Sequence, residues 1–292
     1  MFREALNFLR QKQVLPTVLS SAELRRLDAD VRQRSFFSAR NVLDMILEDE
    51  KAAVENLLSG KWNEATARQE IQLALDRIGY DPQKPVSEEI PPAEVGSLQD
   101  LSSDDRVRLV LETNFRQAAN YGHMQQGNEP EALYLYPAYE LVRIYDRMVP
   151  RGFRRTKEGI IPVPEDKWET RWLKAAQISG DTDATRILAQ TGKMIARKDS
   201  PIWAELGSSE NFDDALDTSF PPYAFNSGKG WRDVPRDEAI ALGLVRADEV
   251  PEPLQDEFNA GLDADALSLG DLEATRDALL AAADRYRAGG DA

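Results

Sequence analysis

The chain of 292 residues contains no cysteine and a single histidine, His123. Without cysteine it has no disulfides, no thiolate metal ligands and no cysteine nucleophile. One imidazole cannot build a histidine-based metal site alone, so we interpret His123 as a structural residue. These shortages predict a chain that has no catalytic residues, binds no metal or cofactor and is not an enzyme.

Long apolar runs are missing as well. No run in the sequence approaches the roughly 18 residues that are needed to span a bilayer. The first residues mix acidic and amide side chains with apolar ones, which is unlike a signal peptide. We therefore expect neither a membrane segment nor a membrane partner.

Negative charge is abundant but unevenly distributed. The net charge is −15, yet residues 1–80 hold 12 basic and 12 acidic side chains, and residues 104–245 hold 19 and 22. In residues 81–103 and 246–292 the acids outnumber the bases by 5 to 1 and by 12 to 4. An acidic tail repels nucleic acid and membrane surfaces, so the composition does not predict a dedicated DNA reader.

Helix signals fill the first 80 residues. Ser20 and Glu23 have the spacing of a capping box, in which each side chain satisfies a backbone donor of the other residue. An apolar stripe at helical spacing follows over residues 43–58, and Asn63 can cap a further helix. The pattern predicts an N-terminal helical domain over residues 1–80, folded as a hairpin or small bundle.

A proline-rich segment follows this domain. Residues 81–103 contain four prolines and little apolar periodicity, which favours an extended, acidic linker. Ser102 or Ser103 can then cap a long helix, and residues 139–146 have the composition of a strand. We predict an α+β domain over residues 104–245 and an acidic tail with a terminal helix over residues 246–292. The fold class is mainly α with a small β element.

Shorter signals continue through the second domain. Trp168 and Trp172 are four residues apart and predict a helix that buries both indoles. Residues 193–197 form a second strand candidate, and residues 220–231 read as a rigid aromatic loop. Pro235 fits the first turn of another helix.

Short motifs of three kinds resemble functional sites, but each either lacks an essential part of the site or lies in the wrong structural setting. The sequence Ser227-Gly228-Lys229-Gly230 lacks the earlier glycine and the following Ser or Thr of a phosphate loop. Acid pairs at 181–183 and 263–265 lack the glycine and the final glutamate of a calcium loop. Glu48-Asp49-Glu50 lies within a helical stripe, which is the wrong setting for a nucleotide site of the ADP-ribosyltransferase type.

Basic residues are concentrated between positions 143 and 157. Such a segment can grip DNA phosphates or an acidic protein surface, or it can be a solvated strand edge that prevents edge-to-edge pairing. We treat it as the candidate binding site for protein or DNA. Its members are Arg143, Arg147, Arg151, Arg154, Arg155 and Lys157.

The order of features between about residue 105 and residue 245 resembles the phage Mu protein F-like family of head-morphogenesis proteins, which are minor head proteins of tailed phages. A helix through Thr113 and Gly122 is followed by a strand and an arginine-containing turn, and then by a tryptophan-containing segment. A double-proline loop and a short helix, residues 236–244, come last. The loop carries the most specific residues of the resemblance, which are Pro221, Pro222, Asn226 and Gly228.

The chain departs from this family at two points. Family members commonly carry a histidine near the arginine turn and a Cys-Arg-Cys after the asparagine, where this chain reads Ser227-Gly228-Lys229. Any metal or redox role of those residues is therefore not expected here.

The resemblance implies a structural head protein that binds the portal protein and capsid or scaffolding proteins during assembly. It would act in the host cytoplasm and then remain in the virion, in the head interior or portal region. DNA phosphate contact and self-association are both compatible with it. The alternatives are a bacterial adaptor or scaffold unrelated to phage, or a toxin-like ADP-ribosyltransferase.

Overall fold

A computed structural model describes residues 2–24, 29–145, 151–156, 159–164, 167–224 and 227–254. The fold is mainly α with a small β content, as the sequence predicted. The chain divides into two compact units, the first ending at Ala119 and the second beginning at Asn120. The predicted terminal helix of the tail lies outside the described residues.

The first unit is built from helices and one short parallel strand pair. Its apolar core includes the buried faces of its two longest complete helices, α4 and α5. Its elements are α1 (Phe2–Gln11), β1 (Gln13–Val14), α2 (Ser21–Leu24), α3 (Ala29–Arg34), β2 (Ser35–Phe36), α4 (Asp44–Leu58), α5 (Glu64–Arg77) and the first part of α6 (Asp104–Gly127).

Local side-chain hydrogen bonds fix where these helices start. The Ser20 amide donates to Glu23 Oε2 at 2.6 Å, and the Glu23 amide donates to Ser20 Oγ at 3.4 Å. The Thr66 amide donates to Asn63 Oδ1 at 2.9 Å. Both caps were predicted from residue type and spacing, and both predictions are confirmed.

The proline-rich segment 81–103 lies inside the first unit, so the chain divides elsewhere than at the predicted linker. Ile90 and Leu101 of this segment are buried. The Leu101 amide donates to the Tyr80 hydroxyl at 3.0 Å, and the Asp100 carboxylate accepts from backbone amides of the same segment. Proline content favours extended backbone, but these contacts fold that backbone onto the unit.

A buried carboxyl lies on α4. Glu50 is 2% exposed, and its Oε2 has no hydrogen-bond partner among the described residues. Burial raises the pKa of Glu50 from 4.5 to about 7, although the charge of Arg106 acts in the opposite direction. Because the folded state keeps a proton that the unfolded state releases, stability falls as the pH rises from the unfolded pKa to the folded pKa. Above the folded pKa, the full free-energy cost of burying the ionised Glu50 carboxylate is present.

We expect Glu50→Gln to stabilise the first unit by about 2 to 3 kcal/mol at about pH 8, because the neutral amide avoids burying a charge. At about pH 4, below the unfolded pKa of 4.5, the difference from the parent chain should nearly vanish, since Glu50 is then mostly protonated in both states. Hydrogen exchange of the α4 amides, compared between the two chains at each pH, measures the effect. A gain of equal size at both pH values would contradict a titrating Glu50.

The second unit combines short helices with a three-stranded sheet and a separate hairpin. The sheet order is β6-β3-β7, antiparallel throughout, and the hairpin pairs β4 with β5. Its elements are the last turns of α6, α7 (Pro130–Leu135), β3 (Ala138–Arg143), β4 (Phe153–Thr156), β5 (Gly159–Pro162), α8 (Trp168–Ser179), α9 (Thr182–Thr191), β6 (Ile195–Arg197), α10 (Ile202–Gly207), β7 (Lys229–Val234) and α11 (Arg236–Ala241).

Most sequence predictions for this unit are confirmed. The two strand candidates correspond to β3 and β6, and α8 buries both predicted tryptophans. The predicted loop 220–231 is partly wrong, because its last three residues belong to β7 and pair with β3. Asp181 proves to be a helix cap, since its Oδ1 accepts from the Ala184 amide at 2.8 Å at the start of α9.

Aromatic rings fill the space against the sheet. Tyr139 of β3 stacks on Trp231 of β7 with ring centroids 4.2 Å apart and an interplanar angle of 5°. Trp203 packs edge-on against both rings, and Trp172 packs edge-on against Trp203. These contacts orient the end of β3 and the neighbouring loops.

The predicted acidic tail does not begin at residue 246. Residues 246–254 lie on the second unit, where Arg236 donates to the carbonyls of Arg246 and Ala247. Asn128 exchanges two hydrogen bonds with the backbone of Leu254, each of 2.7 Å. This segment is therefore part of the fold because side chains bind its backbone, which a count of charges cannot reveal.

Among the residues that the structure describes, no helix is both long and apolar enough to cross a membrane.

Candidate protein-binding site

The basic segment and the proline loop, which the sequence indicated separately, meet at the end of β3. The Ile144 amide donates to the Gly228 carbonyl at 2.9 Å, and Arg143 pairs with Lys229 in the β3–β7 ladder. A Cβ at Gly230 would lie 1.8 Å from Ile144 Cδ1. A larger residue at position 230 would therefore require the exposed Ile144 side chain to move.

Positive charge is crowded at this end of the sheet. Burial lowers the pKa of Lys229, Glu169 opposes that shift, and the charge of Arg143 adds to it. The Arg143 side chain itself is exposed. This part of the second unit therefore presents basic groups in a chain whose net charge is −15.

A pair of antiparallel strands, Phe153–Thr156 and Gly159–Pro162, carries exposed apolar side chains, and we call these two strands the arm. Its ladder pairs Phe153 with Pro162 and Arg154 with Ile161. Phe153, Ile160 and Ile161 are 44%, 53% and 44% exposed, and Arg154 is exposed beside them. Exposed large apolar side chains together with arginine are typical of surfaces that bind another protein.

Arg151 does not belong to this exposed surface. Its side chain is 12% exposed and forms an ion pair with Asp214, which also binds Arg171 Nη1 at 2.7 Å. Both guanidinium groups lie against the Trp168 ring, at 5.1 and 5.2 Å from its centroid. The prediction that Arg151 is an exposed contact residue is therefore corrected, because its side chain is largely buried. It anchors the base of the arm, because an acid distant in sequence folds against it.

The charge balance around Asp214 favours its ionised form. Burial on its own raises the pKa of Asp214, but hydrogen bonds from Arg151 and Arg171 and the charges of both arginines outweigh that effect. The net result is a pKa below the usual range. Arg171 also donates to the Leu206 carbonyl from Nε at 3.1 Å and from Nη2 at 2.7 Å.

The remaining basic candidates divide into two groups. Arg143 and Arg154 are exposed at the end of β3 and on the arm. Arg147 and Lys157 lie outside the described residues, and Arg155 is described only as a backbone position of β4.

The proline loop is part of the interior. Pro221 and Pro222 are buried and joined by a cis peptide bond. Thr218 Oγ1 donates to the Phe220 carbonyl at 2.7 Å, and the Leu216 amide donates to the Tyr223 carbonyl at 3.0 Å. The described part of the loop, residues 220–224, is therefore packed into the second unit. Asn226 lies outside the described residues.

His123 belongs to a polar network at the end of α6. Its Nε2 lies 2.9 Å from Asp233 Oδ2, while Lys198 Nζ lies 2.9 Å from Asp233 Oδ1 and donates to the Gly127 carbonyl at 3.1 Å. Burial raises the pKa of Asp233, but the hydrogen bonds and charges of His123 and Lys198 outweigh it, and the pKa is lowered. The network ties α6 to β7, which agrees with the structural role predicted for His123.

Among the described residues, no group of three or more histidine, aspartate and glutamate side chains has the arrangement needed to hold a metal ion.

Comparison with known proteins gives no relative. No family model, curated protein or solved structure matches the chain. The resemblance to phage head-morphogenesis proteins therefore stays a prediction that rests on the quoted residues.

The sequence reading missed the apolar residues of the arm. A signal was present, since Phe153 and the pair Ile160-Ile161 lie on either side of the sequence Lys157-Glu158-Gly159. Apolar residues on both sides of a glycine-containing turn are typical of a hairpin. The prediction for this segment named only basic residues, because arginines are dense there.

Proposed function

We propose that the chain is a structural minor head protein of a tailed phage or prophage and that it binds the portal protein through the arm. The supporting observation is the exposed set of Phe153, Ile160, Ile161 and Arg154 on a hairpin. The proposal assigns the chain a binding role during head assembly and no reaction. Capsid or scaffolding proteins are its further partners.

The composition of the arm favours a protein partner with acidic groups. Aromatic and aliphatic side chains supply contact area, and arginine forms charge-assisted hydrogen bonds with carboxylates. The two strands of the arm contain two arginines, Arg154 and Arg155, and no acidic residue. Charge of this kind steers association and makes it sensitive to salt.

A charge reversal tests this function. We expect Arg154→Glu to weaken binding of the full chain to the portal protein of the same phage genome by about tenfold or more, because attraction becomes repulsion. The loss should shrink as the ionic strength rises, since salt screens both effects. Dissociation constants from an optical binding assay at several salt concentrations measure it.

The matched control is Arg246→Glu, which reverses another arginine of the second unit whose side chain is 80% exposed. It should leave the affinity within about twofold of the parent value, since an exposed charge outside an interface has little effect. Equal losses in both variants would show a general effect of net charge and would remove the arm from the proposal. Failure of the parent chain to bind the portal at any salt would favour the alternative of an adaptor unrelated to phage.

A further inference from the structure

The two isoleucines of the arm point to opposite sides of the hairpin. Successive residues of a strand alternate between faces, so Ile160 and Ile161 cannot lie on the same one. Directly paired residues share a face, so Ile161 lies with Arg154. Ile160 and Pro162 are two residues apart on one strand, so they share the other face. Phe153 pairs directly with Pro162 and therefore lies on that face as well. Each face therefore carries its own large apolar side chain.

Both faces are open. Ile160 is 53% exposed and Ile161 is 44% exposed, so the described residues of the second unit leave much of each face uncovered. A hairpin that docks flat on a partner buries one face and keeps the other in water, and alternation of apolar and polar residues is the usual pattern for that arrangement. Two exposed apolar faces are instead suited to an element that is enclosed on both sides.

The base of the arm is held firmly. The Val163 amide donates to the Gly152 carbonyl at 2.7 Å, which extends the ladder beyond the paired strands. Gly152 has φ +85°, and a Cβ there would lie 2.6 Å from Lys167 Cγ. Together with the Arg151–Asp214 ion pair, these contacts hold the base of the hairpin on the second unit. An isolated two-stranded hairpin is only marginally stable, so this anchoring lowers the entropy that binding must offset.

On the basis of the proposed function, we infer that the arm inserts into a cleft of the portal protein that has apolar walls and an acidic rim. The two walls cover Ile160 and Ile161, and the rim pairs with Arg154. The choice of an acidic rim follows from the two arginines, Arg154 and Arg155, and the lack of any acidic residue in the two strands of the arm. Insertion also explains why apolar side chains are not confined to one face.

The absence of cysteine allows a direct test by labelling, because any introduced thiol is the only one in the chain. Three single variants are needed, Ile160→Cys, Ile161→Cys and the control Ile178→Cys, whose position on α8 is 47% exposed. Each is reacted with a maleimide, alone and with enough portal protein to saturate binding, which sedimentation verifies for each variant. Tryptophan fluorescence verifies that each variant is folded.

Insertion predicts loss of labelling at positions 160 and 161 with portal protein, over a time that labels the free chain completely, and no change at position 178. Protection at only one of the two positions would overturn insertion in favour of flat docking while leaving the proposed function intact. Labelling of both positions in a saturated complex would overturn any contact with the arm. Protection by duplex DNA or by a second copy of the chain, without portal protein, would overturn the assigned occupant. If the parent chain does not bind portal protein at all, the proposed function itself is wrong.

Discussion

Replacing Asp214 with alanine should lower the free energy of unfolding of the second unit by about 2 to 3 kcal/mol, since it removes an acidic partner of two largely buried guanidinium groups. Arg171 is the residue most affected, because its side chain is only 5% exposed and Asp214 is its acidic partner. We place the loss at the lower end of the usual range because Asp214 itself is partly exposed. Urea unfolding followed by tryptophan fluorescence reports it, since Trp168, Trp172, Trp203 and Trp231 all lie in this unit.

Asp213→Ala provides the matched control, because it removes the neighbouring carboxylate at an exposed position. Its effect should stay within about 0.5 kcal/mol, as is usual for exposed charges. If the two alanine variants unfold alike, the ion pairs of Arg151 and Arg171 with Asp214 do not stabilise the unit. The Asp214→Ala variant should also weaken portal binding if anchoring of the arm matters for function.

Gly207→Ala should be the most destabilising of the substitutions considered, with a loss of about 3 kcal/mol or more. A Cβ at this position would lie 1.8 Å from the Thr218 carbonyl oxygen and 2.8 Å from its carbon. Both atoms belong to the backbone, so no change of side-chain rotamer relieves the clash. The Asp217 amide also donates to the Gly207 carbonyl at 2.8 Å, which holds the two segments together.

The control for this substitution is Gly180→Ala, at the end of α8. Gly180 has φ +72°, and a Cβ there would meet no atom within 4 Å. It should therefore cost only about 1 kcal/mol, the usual penalty of a left-handed conformation for alanine. Similar losses at positions 180 and 207, measured by the same urea unfolding, would rule out a steric role for Gly207.

These two substitutions probe the parts of the fold that hold the binding site in place. Asp214 fixes the base of the arm through Arg151, and Gly207 allows the segment that precedes the proline loop to pack closely. Neither residue is expected to touch the partner. Their effect on binding should therefore follow their effect on stability, whereas that of Arg154 should not.

Local sequence was sufficient for the features whose physical cause is local. The capping box at Ser20, the Asn63 cap and the apolar stripe of α4 involve residues within one helix or its first turn, so spacing alone identifies them. The tryptophan pair of α8 follows the same rule. Composition and periodicity also gave the fold class, because mainly helical periodicity extends over long segments.

Only the tertiary structure decided which of the predicted site residues are exposed and which support the fold. The ion pair of Arg151 spans 63 positions and the hydrogen bond between His123 and Asp233 spans 110, and no spacing rule reaches so far. Burial of segment 81–103 and of the proline loop likewise depends on side chains contributed from other segments. Strand β7 could not be recognised from its own residues because its pairing with β3 defines it. Sequence determined the elements and the local concentration of charge, and long-range packing determined that Arg151 is an anchor while Arg154, Ile160 and Ile161 remain exposed.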